Sequence, residues 1–228
     1  VYMGMHNDVA FLISNEINMY EQQSTFNPNM PLRLMQYTGN VYEKLITLGQ
    51  RDKFGKKLIP LPVPKLVVFY NGTTEEPDEL TLNLSDAFPE EKRREADIAV
   101  RVRMININIG RSPKVVSACK PLDEYTWLVD QVRRRERDLP LGNAIDQALS
   151  DMPYDFLIRP YLEANRVEVK KMLLTEYDEA RTLEIAKKEA RDEGRTEGES
   201  KLGALMARLM ESGRMSDAYK AASDPGFR

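Results

Sequence analysis

Apolar and polar residues alternate or recur with periods that change several times along the chain. Residues 8–13 (DVAFLI) are apolar and branched, the pattern of a strand buried on both faces. Ser14, Asn15 and Glu16 are turn residues, and 17–25 (INMYEQQST) reads as a second strand, so the pair predicts a hairpin. A breaker cluster, Asn27–Pro28–Asn29–Met30–Pro31, precedes a change to helical period over 32–48, with Leu34, Thr38, Val41, Leu45 and Leu48 on one stripe. Pro31 stands where the first turn of a helix tolerates proline. Residues 49–55 form a polar, partly basic loop. Pro60, Pro62 and Pro64 then enforce an extended lead-in to 65–70 (KLVVFY), a strand of buried type closed by Asn71–Gly72. Over 97–109, Ile98, Val100, Val102 and Met104 alternate with Arg101 and Arg103, which predicts a half-exposed strand at a sheet edge. The remainder is helical by period: 112–137, 141–152 and a long segment from about 162 into the tail. Residues 184–199 are charge-dense and predict a solvated or frayed helix. Leu202, Leu205, Met206 and Leu209 restore an apolar stripe, so a small helical hairpin is expected to close the chain.

The hairpin brings chemistry-bearing residues together. With its turn centred on Asn15–Glu16, Asp8 lies opposite Gln23, Ala10 opposite Glu21 and Leu12 opposite Met19. Asp8, Glu21 and Gln23 then share one face, with the two carboxylates diagonal to each other and within reach of a common ion. Two carboxylates on an apolar hairpin repel each other, and Mg²⁺ or another divalent cation relieves that conflict, since it takes oxygen ligands from one or two carboxylates plus waters. Such an ion lowers the pKa of bound water and stabilises charge on a phosphate. The Gln23 amide is no base, but it can orient a water or a phosphate oxygen. The plain alternative makes Asp8 a turn residue at the strand start and Glu21 an exposed strand residue.

Composition narrows the field. The 228 residues include 33 Lys+Arg and 36 Asp+Glu, a net charge of −3, with 42% apolar and 30% charged residues. This excludes a wholly disordered, collagen-like or disulfide-framed chain and argues against a histone-like DNA binder. No apolar run reaches the ~18 residues of a spanning helix, so no membrane partner is expected. Cys119 is the single cysteine, which suits a reducing, cytoplasmic setting, and it reads as a small buried residue. His6 is the single histidine, so a histidine zinc site or a Ser-His-Asp triad has no basis. Two basic clusters, Lys53/Lys56/Lys57 and Arg133/Arg134/Arg135/Arg137, either contact phosphates or are solvated faces. No phosphate-binding loop or dinucleotide fingerprint is present.

Two runs, HNDVAFLISNEINMYEQQSTFNPNMPLR and LIPLPVPKLVVFYNGTTEEPDELTLNLSDAF, resemble the Rpn group of recombination-promoting nucleases, also labelled transposases, of the PD-(D/E)XK superfamily. The resemblance extends from Val1 to about Glu199, whose DEGRTEGE is similar to a shortened Glu-Gly-Arg-rich tail. It implies an α/β fold, a restriction-endonuclease-like mixed sheet core with a helical C-terminal extension, divided as core 1–110, helical subdomain 111–174 and charged tail 175–228. It matches the first motif aspartate to Asp8 and the Glu-x-Lys/Gln element to Glu21 and Gln23. Glutamine stands where the superfamily usually has lysine, as it does in the Rpn group. Arg33 and Tyr37, one turn apart on the following helix, are candidates to supply the missing charge toward substrate; otherwise Arg33 pairs with a surface carboxylate and Tyr37 packs. The implied function is Mg²⁺-dependent cleavage of DNA in recombination or mobility, leaving 5′-phosphate and 3′-hydroxyl ends. The rival reading is a catalytically degenerate DNA-binding or assembly module that forms a homo-oligomer through its C-terminal helices. The superfamily commonly carries an acid on a helix ahead of the sheet. Nothing before Asp8 supplies it, so the chain is expected to lack residues upstream of Val1.

Overall fold

The first apolar run forms strand β1, Val9–Ile13, which pairs antiparallel with β2, Glu16–Gln23, in a computed structural model that describes residues 9–227. The hairpin turn differs from expectation. Ser14 and Asn15 both adopt left-handed backbone (φ 46° and 62°), and Glu16 is already paired with Ile13. Two left-handed residues make the tight turn whose twist matches that of the flanking strands, so the loop closes one residue earlier. Ala10 therefore faces Met19, and Leu12 faces Ile17. The strand has slid by two residues, so the assignment of residues to faces survives. Asp8 itself lies outside the described residues, whereas its expected neighbours Glu21 and Gln23 are on β2.

β1 is not buried on both faces. It ends the sheet among the described residues, and Leu12 and Ile13 are 57% and 56% exposed. The burial expected of β1 belongs to β2, where Ile17, Met19 and Glu21 point inward.

Helix α1, Met30–Leu48, begins with Pro31 in its first turn, as the period predicts. It lays Met30, Leu34 and Tyr37 on one face of the sheet, against Ile17, Met19, Val68, Tyr70, Val102 and Met104. Each large aliphatic side chain removed from water in this core contributes about 1.5–3 kcal/mol. Strand β3, Val63–Tyr70, runs parallel to β2 along its whole length. Pro64 is tolerated because β3 is bonded to a second neighbour only from Val67 onward.

The expected edge strand is interior. β5, Arg101–Asn106, lies between β3 and β4, Glu79–Asn83, giving the order β1-β2-β3-β5-β4. β5 is parallel to β3 and antiparallel to β4. The alternation of Leu80 and Leu82 is the sequence signal of β4. Arg101 and Arg103 remain exposed as predicted, and Arg103 makes a two-pronged pair with Glu79 across the β4–β5 ladder.

The opposite face of the sheet is covered from the C-terminal side. Ile105, Ile107, Val67 and Phe69 pack against Val116, Leu122 and Tyr125. The single helix expected over 112–137 is two, α2 (Pro113–Val116) and α3 (Lys120–Glu136). Pro121 lacks an N–H and would collide with the preceding turn, so the helix restarts there. Helix α4, Leu141–Ser150, packs on α3, and α5, Arg159–Ala164, follows. Buried Glu124 of α3 accepts the backbone N–H groups of Leu157 and Ile158, both at 2.9 Å, and so fixes the α4–α5 connection.

Two compact units divide the chain, Val1–Glu176 and Tyr177–Arg228. Helix α6, Arg166–Glu211, is continuous, and each described side chain between Lys188 and Glu199 is exposed, in keeping with a solvated helix. Gly213 turns the chain at φ 75° into α7, Met215–Ser223, in which Ala218 and Ala221 are buried.

Candidate active site

Glu21 sits near the C-terminal end of β2, on the face covered by α1, and is only 3% exposed. A charged carboxylate in that place requires a partner. Arg33, on the second turn of α1, supplies it: Nη2 lies 2.6 Å from Oε1 of Glu21. The same nitrogen donates to the Tyr37 hydroxyl at 3.2 Å, and the guanidinium carbon lies 5.9 Å from the centre of the Tyr37 ring. Nη1 reaches Sδ of Met30 at 3.6 Å. Tyr37 is buried, whereas Arg33 keeps 33% of its side chain exposed. The pair is dry at its acidic end and wet at its basic end. Exposed pairs contribute about 0–1 kcal/mol, and breaking a buried pair costs about 3–5 kcal/mol; this pair falls between.

The i, i+4 spacing thus brings Arg33 and Tyr37 together as predicted. Arg33 does pair with a carboxylate, but with the candidate site residue rather than a surface one, and Tyr37 packs while still presenting its hydroxyl to Arg33. Gln23 is half-buried on the Glu21 face, and its carbonyl accepts the Asn71 N–H at 3.0 Å. Asp8 and His6 lie outside the described residues.

The donors here are of the right kind for a hard divalent cation: a carboxylate and an amide oxygen on one strand face. Glu21 already holds a cation, the Arg33 guanidinium. Among the described residues no group of three or more His, Cys, Asp or Glu side chains is placed to hold a metal ion.

A polar belt that the sequence reading missed runs across the C-terminal ends of the three parallel strands. Gln22 of β2 donates to Oδ1 of Asn71, just past β3, at 2.9 Å. Arg133 of α3 donates to the Asn71 carbonyl and, at 2.6 Å, to Oδ1 of Asn108. Asn108 donates to the Gly72 carbonyl and to Oδ1 of Asn106, both at 3.0 Å. Asn71 and Asn106 are wholly buried. This end of a parallel sheet is where α/β proteins place ligands. Gly72 is held in the same place by space: a Cβ there would lie 2.4 Å from the Ser24 carbonyl oxygen and from the Tyr70 hydroxyl. Tyr70 donates to the Thr74 carbonyl at 2.8 Å, and burial pushes its phenol pKa up.

The basic run on α3 is not one phosphate-facing patch. Arg133 turns into the belt, Arg134 pairs with Asp130 at 2.6 Å, and Arg135 pairs with Asp151 at 2.8 Å. Successive helical residues point in different directions, so four neighbouring arginines cannot share a face. In the other cluster Lys53 pairs with Glu43 at 2.8 Å, and Lys56 and Lys57 are exposed. Cys119, expected to be buried, is exposed at the start of α3. The helix break at Pro121 puts it in a connection rather than on a packed face.

Among the described residues no helix is long and apolar enough to cross a membrane. No known family model, curated protein or solved structure matches this chain.

Proposed function

We propose that this chain is a metal-dependent DNA endonuclease of PD-(D/E)XK type, acting in recombination or DNA mobility in the cytoplasm. The observation that carries the reading is a buried carboxylate, Glu21, with its own cation at the C-terminal end of a mixed sheet, on a hairpin strand whose Glu-x-Gln element resembles that of the Rpn nucleases. Asp8 and Glu21 would hold Mg²⁺, which when bound would activate water and stabilise charge on the phosphate. The Gln23 amide orients the attacking water or a phosphate oxygen. Arg33 and Tyr37 face the phosphate with a positive charge and a hydroxyl. Attack at phosphorus breaks its bond to the 3′ oxygen, which takes up a proton, so a 5′-phosphate and a 3′-hydroxyl remain.

A second reading has one observation in its favour. Arg33 neutralises Glu21, and Gln23 adds no charge, as expected of a degenerate nuclease fold that binds DNA or assembles through its C-terminal helices. Supercoiled plasmid separates the two. The endonuclease nicks it with Mg²⁺ and not with chelator, and Asp8→Ala and Glu21→Ala each abolish nicking. Nicking that survives both substitutions rejects the site, and DNA binding without cleavage by the unaltered chain selects the second reading.

A further inference from the structure

We infer that the cleft between α3 and the C-terminal ends of β3 and β5 is a binding site for a single phosphate group, held by Arg133. The inference stands apart from Glu21 and from the nuclease reading.

Asn71 after β3, Ile107 and Asn108 after β5, and Val129, Asp130 and Arg133 of α3 line the cleft. Its volume is ≈ 50 Å³. One water needs about 10–15 Å³ of such space, so the cleft admits a group of a few heavy atoms and leaves anything attached to it outside. Arg133 is bound there by neutral acceptors, the Asn71 carbonyl and, at 2.6 Å, Oδ1 of Asn108. These bonds fix the guanidinium without cancelling its charge. Asp130, one turn earlier on α3, lines the same cleft, but its carboxylate pairs with Arg134 at 2.6 Å. The Nε–H of Arg133 is buried and, among the described residues, has no acceptor. A buried donor without an acceptor and a cation held away from a counter-charge are both costly, and folded proteins leave few such groups unmet. A water in the cleft would accept the N–H and leave the charge unbalanced. A phosphate oxygen does both, in the charge-assisted bond that suits a guanidinium best. The place is also apt, because open α/β sheets receive ligands in the crevice beyond the carboxyl ends of their parallel strands.

The test is titration of the full chain with inorganic phosphate at constant ionic strength, read by calorimetry and by broadening of the phosphate ³¹P line. The unaltered chain should bind phosphate. Arg133→Gln should bind it roughly 10- to 150-fold more weakly, the range for one hydrogen bond to a charged group. Arg133→Lys keeps the charge but loses the Nε–H; it should fall between the two and carries the test where Arg133→Gln does not fold. Lys56→Gln/Lys57→Gln should bind phosphate as the unaltered chain does. A short oligonucleotide with and without a 5′-phosphate separates the sources: a preference for the phosphorylated form that Arg133→Gln abolishes assigns the site to a nucleic-acid end, and no preference assigns it to free phosphate. No binding by the unaltered chain, or equal binding by both Arg133 variants, overturns the site and leaves a cleft filled by water. Loss of binding in the lysine variant also overturns it, since surface charge alone would then attract the anion.

Discussion

At the scale of single residues, geometry ranks side chains that the sequence leaves equal. Glu21 is one of 36 acidic residues, and its pairing with Arg33 in a dry position sets it apart from surface pairs such as Lys53–Glu43, in which both partners are about half exposed. The Glu-x-Gln spacing pointed to Glu21 and the helical i, i+4 spacing to Arg33 and Tyr37. Their meeting was not legible, because it depends on how α1 sits on the sheet. Asn71 and Arg133 were legible only as a turn residue and a member of a basic run. Gly72 was read as part of a turn, yet it is the crowding by Ser24 and Tyr70 that excludes a side chain. Gly72→Ala should therefore destabilise the fold by at least about 1–3 kcal/mol, the usual range for overpacking. Urea unfolding measures this, and an unchanged midpoint would show that the strand ends have room to move.

At the scale of elements, period and prolines placed most helices and strands, and errors fell where neighbours decide. β1 and β5 in part exchange the environments that their own residues predict: the more apolar strand ends the sheet among the described residues, and the strand with exposed arginines lies inside it. A strand's neighbours are chosen by pairing over long separations, which its own residues do not encode. Ion pairs between elements are equally hidden. Asp146 of α4 meets Lys170 and Arg166 of α6, and the Lys170 hydrogen bond holds its carboxyl below the usual carboxylate range. A lowered folded-state pKa stabilises the fold above the ordinary value, and that contribution is lost as pH falls through the folded one. Asp146→Asn should thus lower Tm at pH 7, and the gap to the unaltered chain should close as pH falls below roughly 4. A gap that persists in acid would mean that packing, not charge, joins α4 to α6.

At the scale of the whole molecule, the proposed nuclease reading requires local groups to make any DNA contact, because the net charge is −3. Folding redistributes those groups: Arg133 is drawn into the belt at the strand ends, while Lys56 and Lys57 stay at the surface. Each phosphate contact adds about 0.9 to the slope of log affinity against log salt. The double variant Lys56→Gln/Lys57→Gln should therefore lower that slope by up to about 2, whereas Arg133→Gln should leave it unchanged. Fluorescence anisotropy with a short duplex over a salt series checks both, and the reverse pattern would place DNA on the α3 side. By itself the sequence determined the helical and extended segments, the hairpin face shared by Glu21 and Gln23, and the turn that joins Arg33 to Tyr37, because each follows from repeats only a few residues long. Only the tertiary structure decided strand order, the exact hairpin pairing, the burial of Glu21 under α1 and the inward turn of Arg133. These depend on contacts between residues far apart in the chain, where burial and charge pairing outweigh local preference.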